Sequence, residues 1–374
     1  MRHLVALALF SSGCLFSAPE GAPQFWPPQL GGTVQAVTAG DLDGNGSTDV
    51  VVYMTGNSSQ AGLYEIVGGK DLAAGGRVTS FSKFVPAKLT APIAAFQLGG
   101  GTQKVFVATG SDPVELTSYS NALEEDDLEI TDVSGGSALL WAHPITFPGN
   151  MLHIAVSNGS QISHVASDFI EERAIPAPSG PTWNLAQVAT SYASGSDQIV
   201  VVATPMQIVR SPLPTGIDPM FTWTTVRTGP AWVGQTTVDL DGDGREEVVG
   251  LDLAGKQVCI VDPGAAAVPV TPICLAIPNL PSSNEVTLFV GTNVTTNPGP
   301  DMVIAQASGS DTQYTLVEDY TYAAGTLTST MIRPLATGGP AHGRSVIVNA
   351  GPGTPNSVIV FGTDGAAACV QGPC

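Results

Sequence analysis

Apolar residues in this chain come in short runs of Val, Ile, Ala and Leu, closed off within a few residues by Gly, Pro, Asn or Asp. Runs of this length, rich in β-branched side chains and bounded by turn formers, predict strands. They fall in pairs. Thr33-Val-Gln-Ala-Val-Thr-Ala39 is followed by Val50-Val-Val-Tyr53, Ile93-Ala-Ala-Phe96 by Val105-Phe-Val107, and Leu139-Leu-Trp141 by His153-Ile-Ala-Val156. Gln187-Val-Ala189 precedes Ile199-Val-Val-Val202, and Thr236-Thr-Val238 precedes Val248-Val249. Thr287-Leu-Phe-Val290 with Met302-Val-Ile-Ala305, and Val346-Ile-Val348 with Val358-Ile-Val-Phe361, complete seven strand–loop–strand units.

The residues that open the second strand of each unit are Asp49, Lys104, His153, Gln198, Glu247, Asp301 and Ser357, spaced 45 to 56 residues apart. A period of this size holds four short strands with their turns, which is one propeller blade. Gly62-Leu-Tyr-Glu-Ile-Val67 and Ser80-Phe-Ser-Lys-Phe-Val85 supply the third and fourth strands of the first unit; Gln257-Val-Cys-Ile-Val261 and Thr271-Pro-Ile-Cys-Leu275 do so in the fifth. The last unit is short. After Phe361 it offers only Ala366-Ala-Ala-Cys-Val370, so the segment around Gln24-Phe-Trp-Pro-Pro-Gln29 is expected to add the missing strand and close the ring. The expected fold class is all-β: a seven-bladed β-propeller of about 50-residue, four-stranded blades, forming a single domain over residues 22–374.

Two of the seven first loops carry a distinct pattern. Asp41-Leu-Asp-Gly-Asn-Gly-Ser-Thr-Asp49 and Asp239-Leu-Asp-Gly-Asp-Gly-Arg-Glu-Glu247 place side-chain oxygens at positions 1, 3, 5 and 9 and Gly at 4 and 6. A Ca²⁺ ion takes roughly six to eight oxygens at about 2.3–2.6 Å, and a tight loop supplies them when alternate side chains turn inward. Position 7, Ser47 or Arg245, would offer its backbone carbonyl. An EF-hand is excluded, because it needs a Glu at position 12 and flanking helices, whereas these loops have Val52 and Gly250 there and strands on both sides. A dinucleotide fingerprint is excluded too, since no helix follows Gly44-x-Gly46. The competing reading is an acidic hairpin turn with no metal.

The stretches Gly40-Asp-Leu-Asp-Gly-Asn-Gly-Ser-Thr-Asp-Val-Val-Val52 and Val238-Asp-Leu-Asp-Gly-Asp-Gly-Arg-Glu-Glu-Val-Val249 resemble the FG-GAP/VCBS repeat of integrin α-subunit propellers and many bacterial surface proteins. The resemblance implies two structural Ca²⁺ sites, held by Asp41, Asp43, Asn45 and Asp49 and by Asp239, Asp241, Asp243 and Glu247, on the loop between the first two strands of a blade. The other five units match in strand pattern only. Gly99-Gly-Gly-Thr-Gln103 and Asn297-Pro-Gly-Pro-Asp301 lack the ligands and are expected to be metal-free.

Composition narrows the partners. Charged residues make up 12% of the 374 residues, and the net charge is −19 with only 13 Lys plus Arg. No basic patch is present, which argues against nucleic acid. The run Glu124-Glu-Asp-Asp127 reads as a solvated turn. At the N-terminus, Arg2-His3 followed by Leu4-Val-Ala-Leu-Ala-Leu-Phe10 reads as a secretory signal over residues 1–18, too short to span a bilayer. Ser11-Ser-Gly-Cys14 resembles a bacterial lipoprotein box with Cys14 as the lipidated residue, although Ser11 replaces the usual Leu; cleavage after Ala18 is the rival. The expected location is therefore exported, as an outer-membrane or cell-surface lipoprotein or in the periplasm or extracellular space, with any membrane attachment made through the lipid. Four cysteines remain. Cys259 and Cys274 lie on adjacent strands and could cross-link them, and Cys369 and Cys374 could tie down the C-terminus, although four cysteines allow three pairings.

No G-x-S-x-G elbow or H-E-x-x-H occurs, and His143, His153, His164 and His342 are isolated. Trp26, Trp141, Trp183, Trp223 and Trp232 fit either blade-to-blade packing or a sugar-stacking surface. The expected function is a monomeric, calcium-stabilised binding or adhesion module, not an enzyme. It would meet a protein or glycan on the face opposite the acidic loops, which the connections 55–62, 110–114, 176–183 and 334–344 would build. A glycan-active enzyme on the same scaffold and a structural envelope component are the alternatives.

Overall fold

The computed structural model describes thirty strands between Gln24 and Gln371, with nearly continuous description over residues 33–55, 221–280 and 286–335. The strands are the runs the sequence marks. β1 (Gln24–Trp26) stands first. Sheet 1 follows with β2 (Thr33–Gly40), β3 (Asp49–Thr55), β4 (Gly62–Val67) and β5 (Arg77–Lys83). Sheet 2 comprises β6 (Ala94–Gln97), β7 (Gln103–Thr109), β8 (Val114–Tyr119) and β9 (Glu125–Val133). Sheet 3 holds β10 (Trp141–Phe147), β11 (Met151–Ser157), β12 (Ile162–Ala166) and β13 (Glu172–Ile175). Sheet 4 holds β14 (Val188–Ser191), β15 (Gln198–Ala203), β16 (Gln207–Pro212) and β17 (Thr224–Thr228).

Sheet 5 runs through β18 (Val233–Val238), β19 (Glu247–Asp252), β20 (Gln257–Val261) and β21 (Ile273–Ala276). Sheet 6 uses β22 (Val286–Thr292), β23 (Asp301–Ser308) and β24 (Asp311–Glu318), then a small hairpin of β25 (Thr321–Ala323) and β26 (Thr326–Thr328), before its fourth strand, β27 (Met331–Pro334). Sheet 7 consists of β28 (Arg344–Val348), β29 (Ser357–Phe361) and β30 (Ala367–Gln371), and β1 joins its outer edge antiparallel to β30, with Gln24 opposite Cys369 and Trp26 opposite Ala367. Among the described residues, then, seven antiparallel four-stranded sheets follow one another, each with its strands side by side in order. The first strands of the sheets touch in turn: β2 meets β6, β6 meets β10, β10 meets β14, β14 meets β18, β18 meets β22, β22 meets β28, and β28 meets β2.

The core lies between sheets. Val34, Val50, Val52 and Met54 of sheet 1 pack on Val346, Val348, Ile359 and Phe361 of sheet 7. Sheets 6 and 7 meet through Val303, Tyr314 and Leu316 against Val358 and Val360, and sheets 5 and 6 through Leu251, Val258 and Ile260 with Met302, Ile304 and Val317. Every residue of β19 and of β29 is buried. A second strand covered on both faces has no polar side to present, so it reads as an unbroken apolar run and not as an alternation.

Two sequence readings change, and one element is new. Glu125, Asp126 and Asp127 are not in a turn but open β9, the outermost strand of sheet 2. An edge strand tolerates, and gains from, charges that discourage pairing with another chain. His153 is the third residue of β11, not its first, because the hairpin from β10 is tighter than the apolar pattern suggested. Among the described residues the β25–β26 hairpin has no counterpart in the other sheets; it lies against β21 of sheet 5, and its turn is made at Gly325 with φ 78°.

Cys259 and Cys274 face each other across β20 and β21 and form a disulfide with the Cα atoms 4.1 Å apart. Cys369 lies in β30. Cys374, Cys14, the leader at residues 1–18 and nearly all of the four connections expected to face a ligand lie outside the described residues.

Candidate metal centre

Both acidic nonapeptides join the first two strands of a sheet, β2 to β3 and β18 to β19. In the first loop, carboxylate oxygens of Asp41, Asp43 and Asp49 all lie within 4.8 Å of one another; in the second, those of Asp239, Asp241 and Glu247 do. The glycines let the chain turn so sharply. Gly44, Gly46 and Gly242 have φ of 74°, 81° and 76°, a region that L side chains avoid. A Cβ added at Gly46 or Gly242 would meet nothing within 4 Å, so conformation and not space requires glycine there.

Backbone amides wind around the acids. Asp41 Oδ1 accepts from Gly44 N at 2.8 Å and Asn45 N at 3.1 Å, and its Oδ2 accepts from Gly46 N at 3.0 Å. Asp43 Oδ1 accepts from Asn45 N at 3.0 Å, and Asn45 Oδ1 from Ser47 N at 2.7 Å. The second loop repeats this with Gly242 N on Asp239 Oδ1 at 2.8 Å, Asp243 N on Asp241 Oδ1 at 3.1 Å and Arg245 N on Asp243 Oδ1 at 2.8 Å. The side chains of the fifth residues have partners within their loops. Asn45 Nδ2 donates to Asp43 Oδ2 at 2.7 Å, and Asp243 Oδ2 lies 4.0 Å from Arg245 Nε, both side chains partly exposed. Ser47 and Arg245 enter these bonds through their amides, which leaves their carbonyls outside them.

The donor set fits a hard cation: oxygen only, three carboxylates in close range, on a loop held open by hydrogen bonds. Glu247 is the most constrained member. Burial pushes its carboxyl up to about 8, with Asp241, Asp262 and Asp243 pushing the same way and the Leu240 amide opposing them. Gathering like charges beside a buried carboxylate is unfavourable unless positive charge joins them.

The ninth residue has a second role that the sequence reading missed. Asp49 Oδ2 accepts from Leu42 N at 2.9 Å, and Glu247 Oε2 accepts from Leu240 N at 2.8 Å. Sheet 6 shows the same bond: Asp301 Oδ2 accepts from Val294 N at 2.9 Å, and also from Thr295 N at 3.1 Å, while its Oδ1 accepts from Asp319 N at 3.1 Å. Asp49, Glu247 and Asp301 are all essentially unexposed, at 0, 1 and 0%. Residues 293–301 are therefore a third copy of the loop, with Asn293, Thr295 and Asn297 at positions 1, 3 and 5. The Asn293 amide, oriented to donate, reaches the carbonyls of Thr295 at 2.7 Å and Asn297 at 3.2 Å. A neutral donor group thus sits among the oxygens of this loop.

Of the tryptophans, Trp232 is buried between sheets 4 and 5 with Val200, Ile208, Val226, Val248 and Val261, and the Arg227 guanidinium lies 4.2 Å from its ring centroid. At Trp232 the packing role holds. Phe221 and Trp223 stack with centroids 5.7 Å apart, both partly exposed. Trp183 lies outside the described residues, and the side chains of Trp26 and Trp141 do too.

No family model matches the sequence, and no curated protein matches it. Solved structures do. The crystal structure of BBS1N in complex with ARL6DN, soaked with lead, superimposes with a TM-score of 0.58 at 11% identity, over 95% of this chain and 96% of that one. The WD40 domain of SCAP from fission yeast gives 0.49 at 9% identity, over 94% of this chain and 87% of that one. The first likeness, at so low an identity, establishes fold and nothing more: the chain is a β-propeller.

Proposed function

We propose that this chain is an exported, calcium-stabilised, seven-bladed propeller of the FG-GAP/VCBS type, closed by β1 on sheet 7, that serves as a binding module for a protein or glycan. Propellers are in general interaction scaffolds, and the function of this one follows from its sites, not from its fold. The observation that carries the calcium reading is the recurrence of one grouping, three carboxylates within 4.8 Å, at equivalent places in sheets 1 and 5. The cyclic order in which first strands touch supports the blade count and the closure. Asp41, Asp43 and Asp49 would hold one ion and Asp239, Asp241 and Glu247 the other, with Asn45, Ser47, Asp243 and Arg245 completing the loops. Bound calcium supplies positive charge that neutralises the clustered acids. The chain's own part is to fix the loop through its glycines and amides.

Export rests on the N-terminal leader, and lipidation rests on Cys14. The partner would approach the face away from the acidic loops, because those loops would be taken up by the ions. The deciding experiment is thermal unfolding and a panel of envelope proteins and glycans, each with millimolar Ca²⁺ and with EGTA. Two ions at a hundredfold over Kd contribute about 2.7 kcal/mol each. At about 2.1 cal/mol/K per residue of unfolding entropy, a chain of 374 residues then loses roughly 7 °C in Tm on chelation. An unchanged Tm sinks the calcium reading. Turnover of a glycan, in place of binding, would favour the enzymatic alternative.

A further inference from the structure

The first-to-second-strand loops are bonded to one another around the sheets by a recurring backbone contact. In the nonapeptide frame, the first residue's carbonyl accepts the amide of the eighth residue in the next sheet. Asp41 O accepts from Gln103 N at 3.1 Å, between sheets 1 and 2. Asn293 O accepts from Asn356 N at 2.5 Å, between sheets 6 and 7. Asn349 O accepts from Thr48 N at 2.9 Å, across the seam between the last sheet, sheet 7, and the first, sheet 1. The seam therefore has the geometry of an ordinary junction. Between sheets 5 and 6 the eighth residue is Pro300, which has no N–H to give.

The first acidic loop is anchored more heavily than this single contact requires. At the seam the bond is reciprocated, with Asn349 N donating to Thr48 Oγ1 at 3.0 Å. On the other side Asp41 N donates to Gln103 Oε1 at 2.8 Å. Both anchors are parts of the nonapeptide itself. Asp41 is a member of the three-acid group, and Thr48 directly precedes Asp49, which is buried and staples the loop through Leu42. One loop thus spans sheets 7, 1 and 2, and whatever orders its acids orders its anchors.

We propose that the first acidic loop is a calcium-dependent clasp: ion binding at Asp41, Asp43 and Asp49 fixes Thr48 and Asp41 in bonding position and thereby locks sheet 7 to sheet 1, a junction to which the second loop, in sheet 5, does not belong. The proposal rests on the calcium reading above. It predicts that sheet 7, in which β1 pairs with β30, is steadied by an ion bound to none of its strands. Strands β1, β28, β29 and β30 carry none of the acids of either loop, yet their exchange behaviour follows the occupancy of the first.

The test is hydrogen exchange by mass spectrometry on the full chain with CaCl₂ or with EGTA, alongside calorimetric titration of CaCl₂. Amides of β1, β28, β29 and β30 exchange at least about tenfold faster in EGTA, the effect of losing one or two net hydrogen bonds. Asp43→Asn removes one site from the titration and abolishes that difference. Asp241→Asn removes the other site and leaves the seam difference intact. Thr48→Val removes only the hydroxyl acceptor, so both sites still titrate while protection at the seam falls. Calcium uptake at the first loop with no change at the seam overturns the clasp and leaves the calcium reading standing. No calcium uptake at all overturns both. An equal loss of seam protection from Asp241→Asn shows general destabilisation and overturns the clasp.

Discussion

Replacing Asp301 with Ala separates what the ninth acid does for the backbone from what it does for a cation. Asp301 is unexposed, and its two oxygens take the amides of Val294, Thr295 and Asp319. Truncation leaves three donors in a region with little access to water. An unmade bond at a buried polar group costs about 1–3 kcal/mol; with a water entering the vacated space to serve one donor, the expected loss is roughly 2–6 kcal/mol. Asp43 is the contrast. It is half-buried and accepts only from Asn45, through Asn45 N and Nδ2. Asp43→Ala should cost under about 1 kcal/mol without calcium and remove about 2.7 kcal/mol of ligand stabilisation at a hundredfold over Kd. Urea unfolding followed by far-UV circular dichroism, in CaCl₂ and in EGTA, reads both. The Asp301→Ala loss is the same in the two buffers, and the Asp43→Ala loss appears chiefly in CaCl₂. A loss below about 1 kcal/mol at Asp301, or one that depends on calcium, would refute the assignment of a purely structural staple.

Three further outcomes follow from the same structure. Glu247 holds its proton in the fold up to about 8, above its ordinary value, so in EGTA its contribution to stability is complete below about 4.5 and is lost as pH rises through 8; Tm in EGTA falls over that range, Glu247→Gln flattens the fall, and a Tm rising over the range would contradict the burial argument. Trp232→Ala empties a large space between sheets 4 and 5 and strips the Arg227 guanidinium of the ring it covers; the expected cost is about 3–5 kcal/mol, and a change under about 1 kcal/mol in urea unfolding would show that the junction is loosely packed. Cys259→Ser with Cys274→Ser opens a link between residues 15 apart, for an expected loss near 3 kcal/mol, measured against the oxidised parent in the same buffer.

The strands were legible because the described second strands of sheets 1, 5, 6 and 7 are buried on both faces, which forces runs such as Val50-Val-Val-Tyr53 and Val358-Ile-Val-Phe361 and leaves a repeating ruler. The two acidic loops were legible because their side chains do the gathering. Outer strands were harder, since one edge is free and charges are welcome there, so Glu125, Asp126 and Asp127 looked like a turn. The third loop was hidden for a related reason. Its pattern survives in oxygen-bearing Asn and Thr, not in acids, and what defines it is the bond from Val294 N to Asp301. The contacts between loops were invisible altogether. They are made by main-chain groups, which every residue but proline supplies in full, and only Pro300 leaves a trace in the sequence.

The pairing of β1 with β30 joins residues more than 340 positions apart. On an isolated flexible chain, closing such a loop would cost about 5 kcal/mol by the logarithmic rule. It costs far less once the intervening sheets have stacked and brought the ends together. The order of events is thus set by topology: β1 is made before β2 to β30 and must wait, unpaired, until β30 emerges. A chain cut directly before β30 leaves β1 without its partner and β29 without its outer neighbour, an open edge of the kind that seeds aggregation. Synthesis as far as β30 is checked by the architecture itself, since only a chain that includes it can cover β1 and the outer edge of β29.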